Sequence, residues 1–138
     1  MLRGGCHCGK LAVELATTQP AAELRPRACD CAFCRKHGAA WLSDAAGELV
    51  VRARPGDAVH AYRQGSGQAD FLLCGDCGVL VAVVCEDATG LRGAVNATCL
   101  EDAPAFAQAQ TVSPQRLVAA DKRARWLQVW SPARIERG

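Results

Sequence analysis

Three cysteines fall within six positions, in Cys29-Asp30-Cys31-Ala32-Phe33-Cys34, and no other stretch constrains the chain as much. Thiols in this C-x-C-x-x-C spacing cannot all pair with one another as unstrained disulfides. They can converge on one soft or borderline metal ion, because zinc takes sulfur ligands at about 2.3 Å in a tetrahedral shell. Three ligands leave a tetrahedron one short. A structural zinc site is closed, whereas a catalytic one keeps a position open.

Two further pairs frame the cluster. Upstream stands Gly4-Gly5-Cys6-His7-Cys8-Gly9, and downstream stands Cys74-Gly75-Asp76-Cys77-Gly78. One CxxC is a weak signal; seven cysteines in three tight groups, each flanked by Gly or Asp, are a strong one. Glycines after Cys8 and Cys77 permit the tight turns that aim backbone amides at thiolate sulfur. The segment Met1-Leu2-Arg3-Gly4-Gly5 has no apolar signal core, so no secretion signal is expected. Nine cysteines without such a signal point to a reducing, cytoplasmic setting and to metal ligation in place of a disulfide framework.

The 138 residues fit one domain, taken as 1–138. Half the residues are hydrophobic but only seven are aromatic (three Trp, one Tyr, three Phe), so the core must be built from Val, Leu and Ala. A net charge of +2 and the absence of a basic stretch count against nucleic acid as a partner. The longest apolar run, Val79 to Cys85, is far too short to span a bilayer, so no membrane partner is expected. Nothing in the sequence fixes the oligomeric state.

Alternation and turn chemistry predict an all-β fold of many short strands. Lys10 to Ala16 places Leu11, Val13 and Leu15 on one face. Further strands are expected over Arg27–Asp30, Ala39–Ser43, Leu49–Ala53, Val59–Arg63, Asp70–Leu73, Val79–Cys85 and Leu91–Asn96, with a turn or one helical turn over Cys34–Gly38. Glu101 to Gln110 reads as a short helix or a loop broken by Pro104, and Arg116–Ala120 and Arg125–Trp130 as short apolar segments. Two strands joined by Cys74-Gly75-Asp76-Cys77 make a zinc knuckle on a β-hairpin. Cys6, Cys8, Cys74 and Cys77 are therefore assigned to one closed structural zinc, and Cys29, Cys31 and Cys34 to a second zinc whose fourth ligand is a water or a substrate thiolate. The sequence does not exclude the exchanged arrangement, in which Cys6 and Cys8 complete the three-cysteine site and Cys74 and Cys77 lie elsewhere.

These residues resemble the glutathione-dependent formaldehyde-activating enzyme family, which also includes the centromere protein V-like proteins. The resemblance rests on Gly4–Gly9, Cys29–Lys36 and Cys74–Gly78. It extends through Asn96-Ala97-Thr98-Cys99-Leu100-Glu101-Asp102 and Arg125-Trp126-Leu127. It implies a β-tent fold of the Mss4-like kind, about two zinc ions per chain, and the division into a structural zinc and an open three-cysteine zinc. It also implies a carbon–sulfur lyase acting on a glutathione adduct or that of another small thiol, with Cys29, Cys31 and Cys34 as the catalytic ligands. Leu73 stands where the family often has an aromatic residue, and Ala32-Phe33 where a small polar residue is common. Three thiolates leave the zinc site near −1, and a fourth takes it to −2; Arg35 and Lys36, adjacent to Cys34, are the candidates to compensate that charge or to bind a substrate carboxylate.

The remaining polar and sulfur residues have plainer uses. Cys85 and Cys99 lack a close partner and are expected to be small core residues. His7 is expected to face solvent, and His60 has no motif around it. His37, three residues beyond Cys34, is the best-placed internal fourth ligand, and its binding would close the site. Asn96 is expected to make a structural hydrogen bond in a turn, and Trp41, Trp126 and Trp130 to belong to the core. No residue stands out as a general base; His37 and Asp30 are the nearest titratable groups. The rival reading is a zinc-stabilised binding module for protein or nucleic acid, without chemistry.

Overall fold

The computed structural model describes residues 1–137. In chain order its elements are β1 (Leu2–Gly5), β2 (Leu11–Ala16), β3 (Arg27–Cys29), α1 (Ala32–His37), β4 (Trp41–Leu42) and β5 (Glu48–Ala53). There follow β6 (Val59–Tyr62), β7 (Asp70–Cys74), β8 (Leu80–Asp87), β9 (Gly90–Asn96), β10 (Gln110–Val112), α2 (Ala119–Val129) and β11 (Ser131–Arg137). Strand predominates, as the alternating pattern requires, and the architecture is the β-tent expected.

One path of strands runs β1-β2-β5-β11-β9-β4-β3-β10, and a branch β9-β8-β7-β6 leaves it at β9. The join is made by β11. Its first two residues, Ser131 and Pro132, pair antiparallel with Gly93 and Arg92 of β9. Its remainder, Ala133 to Arg137, pairs parallel with Leu49 to Ala53 of β5. A strand that changes partners in this way welds the two wings of the tent.

Two apolar clusters fill it. The first holds Leu11, Leu15 and Leu49, each fully buried, together with Val51, Val81 and Val95. Each such leucine contributes about 2 kcal/mol by leaving water. The second holds Trp41, Phe71, Val83, Trp130, Cys31 and Cys34. β8 serves both: Val81, Ala82 and Val84 belong to the first, and Leu80, Val83 and Cys85 to the second. Burial on both faces is why the longest apolar run in the sequence is unbroken and does not alternate.

The strand expectations hold to within two residues at their ends. Ala39–Ser43 contracts to Trp41–Leu42, and Glu101–Gln110 contains a 3₁₀ turn at Ala103–Ala105 and the first residue of β10. The structure adds four elements that the pattern did not predict: β1, β10, α2 and β11. Arg125–Trp130 belongs in large part to α2, an 11-residue helix, and β11 follows it directly.

Asn96 lies at the end of β9 and is 3% exposed. Its amide donates to the Leu80 carbonyl at 2.9 Å, while its oxygen accepts from Ala40 N, Thr98 N and Thr98 Oγ1. It is a structural tie, as expected.

Candidate metal centre

The chain builds two sulfur clusters. In the first, Cys6 and Cys8 lie on the turn between β1 and β2, Cys74 ends β7, and Cys77 lies on the turn between β7 and β8. The four Sγ atoms lie within 4.8 Å of one another. Cys8 Sγ is 3.6 Å from both Cys6 Sγ and Cys74 Sγ. Four sulfurs at about 2.3 Å from a central zinc stand about 3.8 Å apart, so the quartet fits a tetrahedral thiophilic ion.

Backbone geometry makes these turns. Gly9 and Gly78 have φ of +83° and +80°, a region that residues with a Cβ rarely adopt. The turns aim amides at sulfur: Leu11 N donates to Cys6 Sγ at 3.3 Å, and Cys77 N to Cys74 Sγ at 3.5 Å. The Cys77 thiol is pulled down to about 6, first by the Cys8 backbone amide and then by that of Val79. Ligand thiols must be deprotonated to bind, and these amides supply part of the stabilisation.

The second cluster is Cys29, Cys31 and Cys34, whose Sγ atoms also lie within 4.8 Å of one another. Cys29 ends β3. Cys31 is the N-cap of α1, its sulfur accepting from Cys34 N at 3.4 Å. Cys34 occupies the first turn. Gly38 ends the helix at φ +60°, with Arg35, Lys36 and His37 in its last turn. The Cys29 thiol is lowered to about 6, chiefly because Cys34 donates to it and also because the Cys31 amide does. Cys34 is correspondingly pushed far up, by that bond to Cys29 and by burial.

This trio lines a cavity of about 280 Å³. Its apolar walls include Trp41, Phe71, Val83, Trp126 and Trp130. The rings of Trp126 and Trp130 stack at 4.6 Å with 10° between planes. Trp41 and Trp130 are core residues, as expected, yet all three tryptophans also face the cavity. Gln64 Nε2 lies 3.8 Å from Cys31 Sγ. Three soft donors on one wall of a cavity suit a zinc ion with one coordination position open to a small molecule.

Several sequence candidates lie elsewhere. His37 is exposed and packs its ring against Phe33 at 4.7 Å, outside the sulfur trio. His7 and His60 are exposed. Asp30 does not line the cavity; its carboxylate accepts from Ser113 Oγ and Gln115 Nε2 and so anchors the segment carrying Val112 and Pro114, which do. Phe33 fills its place in the cysteine cluster by stacking on Tyr62 at 5.2 Å and meeting Phe71 edge-on at 4.8 Å. Cys85 is buried and Cys99 half-buried, and neither joins a sulfur cluster among the described residues.

Arg35 and Lys36 are also misplaced for the role expected of them. Both are exposed on α1 and absent from the cavity wall. Near the helix C-terminus their charge complements the helix dipole. The cations that do reach the cavity are Arg27, Lys122 and Arg125. Adjacency in sequence favoured Arg35 and Lys36; only the folded cavity, which brings α2 and β3 to one wall, reveals the other three.

A family model described as "glutathione-dependent formaldehyde-activating enzyme" matches residues 1–116. No curated protein matches significantly. A crystal structure of a Rhodobacter sphaeroides protein is similar in fold, with a TM-score of 0.56 and 24% identity, over 78% of this chain and 99% of that one.

Proposed function

The chain belongs to the glutathione-dependent formaldehyde-activating enzyme family, and from that premise we propose that it is a carbon–sulfur lyase acting on the adduct of an aldehyde with glutathione or another small thiol. The observation that carries this reading is the contrast between the two clusters. The Cys6, Cys8, Cys74 and Cys77 quartet is complete in itself, while Cys29, Cys31 and Cys34 face a cavity large enough for a small substrate.

Cys6, Cys8, Cys74 and Cys77 would hold a structural zinc, and Cys29, Cys31 and Cys34 a second. At the second position these three cysteines would hold zinc as a Lewis acid, which would keep a thiol in its nucleophilic thiolate form at neutral pH. The protein does the rest by placement. Gln64 Nε2 faces the Cys31 sulfur and limits where a substrate can lie. Trp41, Phe71 and Val83 exclude water from one side of the cavity. An aldehyde held beside the substrate thiolate is attacked at its carbonyl carbon. A carbon–sulfur bond forms, the π electrons pass to oxygen, and that oxygen takes a proton from solvent. The reverse reaction cleaves the adduct. With no carboxylate or imidazole on the cavity wall among the described residues, water carries the proton. Nine free cysteines suit a reducing cytoplasm.

The test is the rate of S-hydroxymethylglutathione formation from glutathione and formaldehyde, followed by NMR above the spontaneous background. Wild type is expected to accelerate it, and Cys31→Ser to return it to background with the Cys6–Cys77 quartet still loaded. Equal rates with and without protein would sink the lyase reading and leave a zinc-stabilised binding module.

A further inference from the structure

α2 forms part of the cavity wall, and the stripe it turns to the cavity departs from what packing alone demands. Lys122, Arg125, Trp126 and Val129 all line the cavity. They are spaced i, i+3, i+4 and i+7, the spacing of the single face that a helix turns toward a core. A helix that merely covered the site would carry four apolar residues there. Here two of the four are cations.

Those cations have no anion of their own. Lys122, Arg125 and the facing Arg27 form no ion pair among the described residues, although seven such contacts join other arginines and a lysine to carboxylates. The side chains of Lys122 and Arg125 also have no hydrogen-bond partner among the described residues. Arg27 gives one Nη2 bond to Ser43 Oγ at 2.8 Å. Burial first, and then the like charge of Arg125, disfavour its ionised form. Arginine nevertheless stays protonated in proteins, so the pair remains two positive charges side by side in a half-buried setting. A Cβ built on Gly65 would meet Lys122 Nζ at 3.9 Å, which places the ammonium against the turn that carries Gln64. Gln68 Nε2 donates to the Ala119 carbonyl at 3.0 Å and pins the start of α2 to that same turn.

We propose that Arg125 and Lys122 of α2, facing Arg27 of β3, form a carboxylate clamp, and that the thiol this protein accepts must carry a carboxylate. The proposal rests on the reading of Cys29, Cys31 and Cys34 as the place where the substrate sulfur binds. Guanidinium groups match a carboxylate in planar, two-pronged fashion. Gln64 and Gln115, on the same wall, add uncharged donors. The two tryptophans beside the clamp keep it partly desolvated, which strengthens each charge-assisted bond. Lys122 and Arg125 lie beyond the stretch that the family model matches, since α2 begins at Ala119 and the match ends at 116, whereas Arg27 lies within it.

The test uses the zinc-loaded full chain and three probes: 3-mercaptopropionate, its uncharged counterpart 3-mercapto-1-propanol, and propionate, which has no sulfur. Binding is read by calorimetry and by the fluorescence of Trp126 and Trp130. The carboxylate thiol is expected to bind at least about tenfold tighter than the alcohol, the scale of one charge-assisted hydrogen bond. In R125Q and in the K122Q/R125Q double variant that ratio should fall below about threefold, with affinity for the alcohol unchanged. The alcohol therefore reports that the variant is folded. Equal affinities in wild type overturn the clamp. So does a variant that weakens both thiols alike, because the cations would then only balance the charge of the sulfur cluster. If neither thiol binds but propionate does, and R125Q abolishes it, the clamp stands and the lyase reading falls. If all three probes are silent, both fall.

Discussion

Cys8 Sγ and Cys74 Sγ lie 3.6 Å apart across 66 residues of chain. This contact ties the β1–β2 turn to the β7–β8 hairpin, and the ion that would complete the quartet is a large term in stability. Structural zinc contributes about 10–16 kcal/mol in small peptides, comparable with the whole stability of a typical domain, about 5–15 kcal/mol. Cys74→Ser is therefore expected to give a chain that fails to fold or loses tens of degrees in Tm. Cys31→Ser should keep the fold and lower the zinc content from about two ions per chain to about one. Elemental analysis beside circular dichroism checks both. A Cys74→Ser protein with wild-type Tm would show that the quartet carries no stabilising metal.

Glycine substitutions separate two reasons for having no side chain. At Gly4 a Cβ would stand 1.8 Å from the Cys99 carbonyl oxygen, which is backbone and cannot move aside. At Gly9 nothing lies within 4 Å of the added carbon, and only the positive φ opposes it. Gly9→Ala should cost about 1 kcal/mol. Gly4→Ala should cost several times more, through separation of β1 from the Cys99 segment. Urea midpoints of the two variants give the comparison, and equal losses would contradict it.

Asn96→Ala removes the donor to the Leu80 carbonyl and the acceptor for Ala40 N and Thr98. Buried groups left without partners cost about 1–3 kcal/mol each. The expected loss is about 2–4 kcal/mol by chemical denaturation. Metal content should be unchanged, because Asn96 lies outside both sulfur clusters.

The metal clusters and the tent were legible because their signals are local. A CxxC turn with a following glycine is a complete structural unit in five residues, and Cys74–Gly78 behaves as one. Strands such as Leu11–Ala16 announce themselves by alternation. α2 was hidden because its inward stripe mixes Lys122 and Arg125 with Trp126 and Val129, so apolar periodicity reads only fragments. β11 was hidden because its partner, β5, is parallel and some 80 residues away, so no turn or hairpin marks it. The cationic wall was hidden for a third reason. Arg27, Lys122 and Arg125 meet only after the chain has folded, whereas Arg35 and Lys36 sit beside Cys34 in sequence and on the outside of α1 in space.

Asp44 offers a pH-dependent test of the joint beside the site. Its carboxylate accepts from Thr17 Oγ1 at 2.6 Å and from Ala46 N at 2.9 Å. These bonds, the Thr17 hydroxyl foremost, hold its pKa below the usual carboxylate range. Its backbone exchanges two bonds with the fully buried Ser131 hydroxyl, at 2.9 and 2.7 Å, where β11 begins. A group whose pKa is lower in the folded state adds stability that is fully present above its unfolded value, about 3.9, and is lost as pH falls through the folded value. Wild type should therefore lose Tm on acidification from about pH 5 toward pH 2 partly through Asp44. Asp44→Asn keeps the shape, and its amide oxygen can still accept one of the two bonds, but it does not titrate. Its Tm should be lower at pH 7 and fall less steeply below pH 5. Other carboxylates titrate over the same range and metal ligands protonate there, so the difference between the two curves is the readout. Parallel curves would mean that Asp44 is not held in its charged form by Thr17 and Ala46.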